Sequence, residues 1–552
     1  MTADDYWHRA TRARVSRRRV LAGAAALTAA TSSAAIVGCR GSKKVAPAGV
    51  QPRSGGVLRI GTTLPITSGL DPQTESGTGL AIFPRIYGYL LHVDARDDTV
   101  IKDHALSVEQ PDPTTYVFKL RSDLHFQDVA PISGRRVTAE DVAASIIRFR
   151  DNPLVTSKTW HSMILDRVEA LDTSTVRVTT HRPYAYSLAE LGSISSGAII
   201  PKEFIQGSVD LNGASVGSGP FALEEVTRAE HARIVRNSSY YRSPIPYLDA
   251  MEWTIFPDDE GRVTAFKAQQ VDIVPSHDNS EAQALVASSD KIESATEPSL
   301  ASVALGLRFD HAPFTDPRVR GAIDLAIDRE ALVRDIAFGN GDPLGAVNPH
   351  LADGYWSLPR ADVLAAHSGT TAIDERRAGA RALLEAAGAT GAAFKLQVAN
   401  IPQLIDVATV IRQQLLTLGF DIVLQELDLI QWFTNFRRGQ FEATVISHLP
   451  YETPDIPTRF YHSSGPDGNG SPFAFNDGTI DRLIERSWTE TDRADRQKTL
   501  LEAQRLMLYA RPMIQLFTST GYSTAWKSVR NRHPELIGSA AQYNYEQWLA
   551  PL

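Results

Sequence analysis

Cysteine is nearly missing from this sequence: Cys39 is the only one in 552 residues. An intrachain disulfide is therefore impossible, and so is a zinc site built on several thiolates. Long apolar runs are scarce too. The stretch from Val20 to Gly38 is mostly alanine and is broken by Thr28, Thr31, Ser32 and Ser33. Nothing after it approaches the roughly 20 apolar residues that a membrane span needs. Positive charge is in deficit: 56 Lys and Arg face 64 Asp and Glu, a net charge of −8. That is the wrong sign for a protein whose main partner is nucleic acid.

Catalytic signatures are missing as well. The sequence holds no HExxH, no P-loop and no Rossmann glycine fingerprint, and its 14 histidines do not cluster. His448 and His462 stand too far apart to form a helical metal pair. Asp467 to Ser471 (DGNGS) lacks the later bidentate acid of a calcium loop. Gly213 to Gly217 (GASVG) matches the G-x-S-x-G nucleophile pattern, but that motif needs a strand before the serine and a helix after it. Here Pro220 blocks the helix, so Ser215 reads as a loop residue. No catalytic residue, metal or cofactor is expected.

What is present is the composition of a folded soluble protein, 43% hydrophobic and 22% charged. At about 150 residues per domain the length suggests three to four domain-sized units. Charge is distributed unevenly. Residues 1–38 carry six arginines against Asp4 and Asp5, a local excess of four, which leaves −12 on the remaining 514 residues. The basic run Ser16 to Leu21 (SRRRVL) precedes the alanine-rich stretch, which ends in Ile36 to Cys39 (IVGC). A charged n-region, an apolar h-region and small residues before a cut site define an export signal. The paired arginines resemble a twin-arginine signal, and IVGC resembles a lipobox, in which the cysteine is lipidated and becomes the new N-terminus. Arg40 to Gly55, rich in Gly, Pro and Ser, reads as a flexible tether.

Beyond the tether, period-two alternation predicts strands over Gly56 to Gly61, Thr115 to Arg121 and Val176 to His181. Thr138 and Asp141 form a capping box before a helix with Val142, Ile146 and Phe149 on one face. Asp316 caps a helix with Pro317 at its first position, running to Ile336 with Val319, Ile323, Ile327 and Leu332 inward. A further helix buries Val407, Ile411, Leu415 and Leu418 and is closed by Gly419, and a strand from Phe420 to Leu427 follows at once. Two more helices, IDRLIERS and RQKTLLEAQRLML, lie near the end. Strands and helices alternate in blocks, which argues for α/β lobes with mixed sheets.

The order of motifs resembles that of the extracytoplasmic solute-binding proteins of ABC importers, specifically the peptide/nickel-type class, solute-binding protein family 5. The lipobox is followed by SGGVLRIG (Ser54 to Gly61) and TSGLDP (Thr67 to Pro72). The stretch from Thr115 to Phe149 then resembles the family signature almost position by position, except that Val129 replaces its turn glycine. Gly217 to Leu223, Arg236 to Asp249, Gln269 to Val274, Ala312 to Glu330 and Gly439 to Val445 match later blocks, so the resemblance covers Ser54 to about Leu552.

The resemblance implies a two-lobed periplasmic-binding-protein fold of type II, with an extra inserted subdomain and a cleft between hinged lobes. Lobe I is placed at 54–90, 195–300 and 510–552, the inserted subdomain at 91–194 and lobe II at 301–509, after a signal peptide 1–38 and tether 39–53. The implied function is capture of an oligopeptide or similarly sized amphiphilic solute and its delivery to ABC permease subunits. The protein would act as a monomer held to the outer face of the cell membrane by lipid on Cys39.

Peptide binders of this class hold the peptide ammonium with an aspartate just before a D-P-D-like stretch. Aligning Thr453 to Asp455 on that stretch puts Pro450 at the aspartate, with Glu452 and Asp455 as nearby acids. Asn400 stands where dipeptide binders use an arginine for the carboxylate. Trp356, Trp432, Phe433, His448 and Tyr451 are the aromatic candidates for the cleft, and Gly69 and Leu70 are candidates for backbone contact. An exported esterase or peptidase, and a non-transporting sensor on the same fold, remain as competing readings.

Replacing Cys39 by alanine should release the protein from the membrane fraction or leave the precursor uncut. Unchanged anchoring of that variant, read by fractionation, would refute the lipobox reading.

Overall fold

The computed structural model describes residues 51–551 apart from 65, 67–69, 75–77, 95, 153–158, 195, 208–214, 228, 277–278, 449–450, 467, 469 and 533–544. Cys39, the leader, Gly69 and Pro450 lie outside the described residues, as do the first two residues of the GASVG motif.

One 12-stranded mixed sheet runs through the molecule. In its first half, Val57–Thr62 pairs in parallel with Ala250–Ile255 and touches Ile273–Ser276 on its other side. In its second half, Ala393–Ala399 lies parallel to Asp421–Leu427 and to Ala443–His448, which pairs in turn with Ser302–Leu307. Ser302–Leu307 is buried along its whole length. A strand covered on both faces must be apolar throughout or small, and SVALGL is. Gly306 is required there, since a Cβ would sit 2.7 Å from a ring carbon of Phe473.

The halves are joined by a single long strand. Met513–Trp526 pairs with Ser302–Leu307 and Gly341–Pro343 near its start and with Ile273–Ser276 and Ile292–Pro298 near its end. Next to it runs the second crossover, between Pro298 and Ser302. The two lobes therefore meet at two adjacent extended segments. A separate four-stranded antiparallel sheet, built from residues between Ala105 and Thr180, forms the inserted layer beside the first half.

The predicted strands are found at Val57–Thr62, Thr115–Leu120, Thr175–Thr180 and Asp421–Leu427. The capping box holds: the Thr138 backbone N–H and its hydroxyl both donate to Asp141 Oδ2, at 2.9 and 2.8 Å, ahead of the helix Ala139–Asp151. One prediction needs correcting. The helix begun by Asp316 does not run to Ile336. It covers Pro317–Ala326, stops at Ile327, and a second helix, Arg329–Asp335, starts afresh. The cause is Asp328, whose carboxylate accepts the Ala331 N–H at 3.0 Å and acts as a second N-cap.

The hinge segments are tied by side chains. The Thr518 hydroxyl bonds the carbonyls of Ser299 and Ala301, both at 2.9 Å. Asn348 Nδ2 donates to Ser299 O at 3.0 Å, and the Asn348 N–H donates to the Tyr451 hydroxyl at 2.8 Å. Asn348 and Thr518 are fully buried. Thr518→Val keeps the shape but strips these buried acceptors of a donor, which should cost about 1–3 kcal/mol. The urea midpoint should fall accordingly, and an unchanged midpoint would contradict the hinge account.

Candidate functional site

A group of buried charge joins the segment after Ala443–His448 to the segment around Tyr184 and Glu190. The turn after Ala443–His448 leads into a short helix, Asp455–Thr458, and Arg459 follows one turn after Asp455. Spacing i to i+4 places those two side chains on one face, and they form an ion pair. Across the interface, the Tyr184 hydroxyl donates to Asp455 Oδ2 at 2.5 Å, while Arg459 Nη2 donates to the Tyr184 oxygen at 2.6 Å and to Glu190 Oε1 at 2.5 Å. Asp455 is wholly buried and Arg459 nearly so. Burial works against the Arg459 charge, but Asp455, Tyr184 and Glu190 overcome it and hold its pKa well above the usual value.

Glu452 sits beside this group and has no cation of its own among the described residues. Its carboxyl is held by the Ser193 side chain and the Ile194 N–H. Burial and then the Glu190 charge push it up to about 8. Arg459 thus serves the carboxyls of Glu190 and Asp455, and the nearby Glu452 has no cation among the described residues. A buried charge left without a partner is strongly unfavourable, so Glu452 is either protonated or awaits a cation.

His448 ends its strand 7% exposed, and burial lowers its pKa to about 4, so the imidazole is neutral. Its ring stands edge-on to Phe460, and its Nε2 is buried with no protein partner among the described residues.

All the aromatic candidates but Phe433 are buried, and three have their polar atoms engaged. Tyr451 OH receives the Asn348 N–H described above. Trp356 Nε1 donates to Asp98 Oδ2 at 2.7 Å, and Trp432 Nε1 to Thr444 Oγ1 at 3.0 Å. Trp432 stacks on Phe436 within lobe II, and Phe433 is half-buried beside it. Leu70 is buried next to Asp71, which accepts a bidentate bond from Arg148. Asn400 is exposed, its N–H spent on Leu427 O at 2.7 Å. Of the candidates, the structure gathers His448, Tyr451, Glu452 and Asp455 on one segment near the lobe interface; Trp432 reaches that segment through Phe436 and Phe460, and Asn400 follows the neighbouring parallel strand Ala393–Ala399, exposed.

Sequence reasoning did not single out Arg459, Tyr184, Glu190 or Asn348. Only the Asp455–Arg459 spacing carried a local signal. It also missed a Ser–His–Asp arrangement. His104 Nε2 lies 2.8 Å from Ser218 Oγ, and its Nδ1 lies 3.4 Å from Asp103 Oδ2. The three are at most 6% exposed, and a Cβ on Gly88 would sit 2.0 Å from the His104 ring. A nucleophile needs room for a substrate carbonyl, and this serine has none. The group acts as packing, with Asp103 also held by His92, Tyr241 and Arg242. Ser215, the serine of the rejected motif, is buried 2.9 Å from the Tyr87 hydroxyl.

Comparison with known proteins bears on this architecture. The profile of the bacterial extracellular solute-binding proteins, family 5 Middle, matches residues 99–471. The glutathione-binding protein GsiB of Salmonella typhi is 26% identical over 245 residues, 44% of this chain and 46% of that protein. GsiB of Escherichia coli O157:H7 is likewise 26% identical, over 247 residues. The chain thus matches about half the length of these curated relatives. Among solved structures, the periplasmic binding protein DppA of Helicobacter pylori in complex with the peptide STSA superposes with a TM-score of 0.77 at 20% identity, over 90% of this chain and 99% of that one. AgaA of A. tumefaciens R10, in complex with agropinic acid, gives 0.75 at 23% identity over the same shares. AppA of Bacillus subtilis, in complex with a nonapeptide, gives 0.74 at 19%, over 91% and 100%. At these identities the superpositions establish the fold, a two-lobed periplasmic binding protein with an inserted subdomain. With the profile covering residues 99–471 of the 552, the protein belongs to family 5 of the bacterial extracellular solute-binding proteins.

Proposed function

We propose that this protein captures an oligopeptide or similarly sized solute outside the membrane and presents it to the permease subunits of an ABC importer. In this reading it works as a monomer, held by lipid on Cys39 and exported through its arginine-rich leader, and it performs no covalent chemistry. Family membership and the two hinged lobes support it. Among the described residues no helix is long and apolar enough to cross a membrane. The lobes are read as 54–90, 195–300 and 510–552 against 301–509, with the subdomain at 91–194.

The observation that carries the proposal further is Glu452. Of the two acids close to the family's ammonium position, Asp455 is already neutralised by Arg459 and bonded by Tyr184. Glu452 stands at the same interface beside Glu190 and without a cation among the described residues. We assign it the cationic head of the solute, an ammonium or guanidinium. His448, neutral and with a free ring nitrogen, supplies an adjoining polar contact. Asn400, exposed just after its strand, is uncharged, so a dipeptide carboxylate finds no counter-charge there. The fitting solute is longer than a dipeptide, with its far end held through backbone or apolar contacts.

Calorimetry with tetra- to hexapeptides, each with a free or an acetylated N-terminus, tests this reading. Acetylation should weaken binding to the wild type at least tenfold, about 1.4 kcal/mol, and should make no further difference in Glu452→Gln. Because the folded pKa of Glu452 lies above the ordinary 4.5, raising the pH from about 4.5 progressively destabilises the unliganded closed protein, and the loss is complete once Glu452 ionises at about 8. In Glu452→Gln this loss of stability between about pH 4.5 and 8 should disappear. Equal affinity for free and acetylated peptides would overturn the assignment.

A further inference from the structure

The inserted subdomain reaches across to lobe II at two places far apart in sequence. The first is the tip of the hairpin made by Leu91–Asp94 and Thr99–Lys102. Asp98, at φ +60°, points its carboxylate at lobe II. There it accepts bonds from Trp356 Nε1 at 2.7 Å and from Arg493 Nε and Nη2 at 3.2 and 2.8 Å. The Arg493 guanidinium lies 3.6 Å over the Tyr355 ring, which fixes its direction. The second place is the segment around the helix Ser187–Gly192. Besides the Tyr184 and Glu190 bonds to Asp455 and Arg459, the Ala185 N–H donates to Trp488 O at 2.6 Å, and Arg182 lies over the Trp488 ring.

We propose that these contacts are a latch. Lobe II closes onto the inserted subdomain, and Asp98 with Glu190 holds it there before any solute is bound. The hinge reading of the two lobes underlies this proposal. Both anchor points join side chains more than 250 residues apart in sequence, so opening at the hinge breaks them together. Arg459 keeps Asp455 in the open form, since both belong to lobe II, and loses Glu190 and Tyr184. Arg493 keeps Tyr355 and loses Asp98. Each broken contact leaves its partners solvated rather than stranded, so the latch biases an equilibrium without locking it. Because a solute binds the closed form, any fall in the closed fraction weakens its apparent affinity by the same factor.

Double electron–electron resonance on the full chain tests this without any solute. Spin labels are placed at Glu109→Cys on the subdomain and Glu385→Cys on lobe II, both exposed, in a Cys39→Ser background. The unliganded protein should show a populated short distance. In Asp98→Ala the ratio of short to long should fall at least tenfold, and Arg493→Ala, approached from the opposite side, should reproduce it. Identical distributions in the wild type and both variants would overturn the latch. If a free-amine hexapeptide then still shortened the distance, the solute reading would survive its failure. If the variants open while the peptide leaves every distribution unchanged, the latch stands and the solute reading falls.

Discussion

A shortage of positive charge at one buried interface governs this molecule. Arg459 pairs with both Glu190 and Asp455 and leaves Glu452 without a cation among the described residues; Arg459 belongs to lobe II while Glu190 belongs to the opposite side. Closing the lobes removes that group from water. Ion pairs so buried are stabilising only when geometry and hydrogen bonding are complete, and here Tyr184 completes the Asp455 side while Glu452 stays without a cation. In the proposed function, the closed form therefore demands one more positive group, which it takes up at Glu452. A carrier that must bind and release needs such a demand to be moderate, and a carboxyl that can accept a proton instead keeps it so.

The hinge makes that demand respond to a ligand. In the proposed function, the two lobes, which share one strand, Met513–Trp526, move as units about the short segment where Thr518 and Asn348 bind the second crossover. Tyr451 ties this clamp to the segment that carries His448 and Glu452. In the same proposal, occupancy at that segment is coupled to the angle of the hinge through Tyr451, and a population shift needs only a differential affinity for the two arrangements.

Much of the fold was legible in the sequence because it is written locally. The Thr138–Asp141 box, the Asp316–Pro317 start and the alternation of Val57–Thr62 each need only neighbouring residues. The break at Ile327 was hidden because its apolar stripe continues in phase through Leu332, and only the second cap, Asp328, marks it. The candidate site was legible only in part. Glu452 and Asp455 came from the family pattern, yet their different fates depend on Arg459, Tyr184 and Glu190, and the last two lie more than 260 residues away. Neither periodicity nor spacing encodes such a meeting. For the same reason the Ser218–His104–Asp103 group escaped notice, and burial, which sequence does not print, is what makes it packing and not catalysis.

The central claim is that the lobes close around one solute whose cationic head meets Glu452. Native mass spectrometry of the protein purified from its own host tests this most directly. The account predicts a single non-covalent adduct of oligopeptide size that carries a basic group, is lost on denaturation and is missing from Glu452→Gln. Adduct-free wild-type protein from cells supplied with peptides, or an anionic adduct retained by Glu452→Gln, would contradict it.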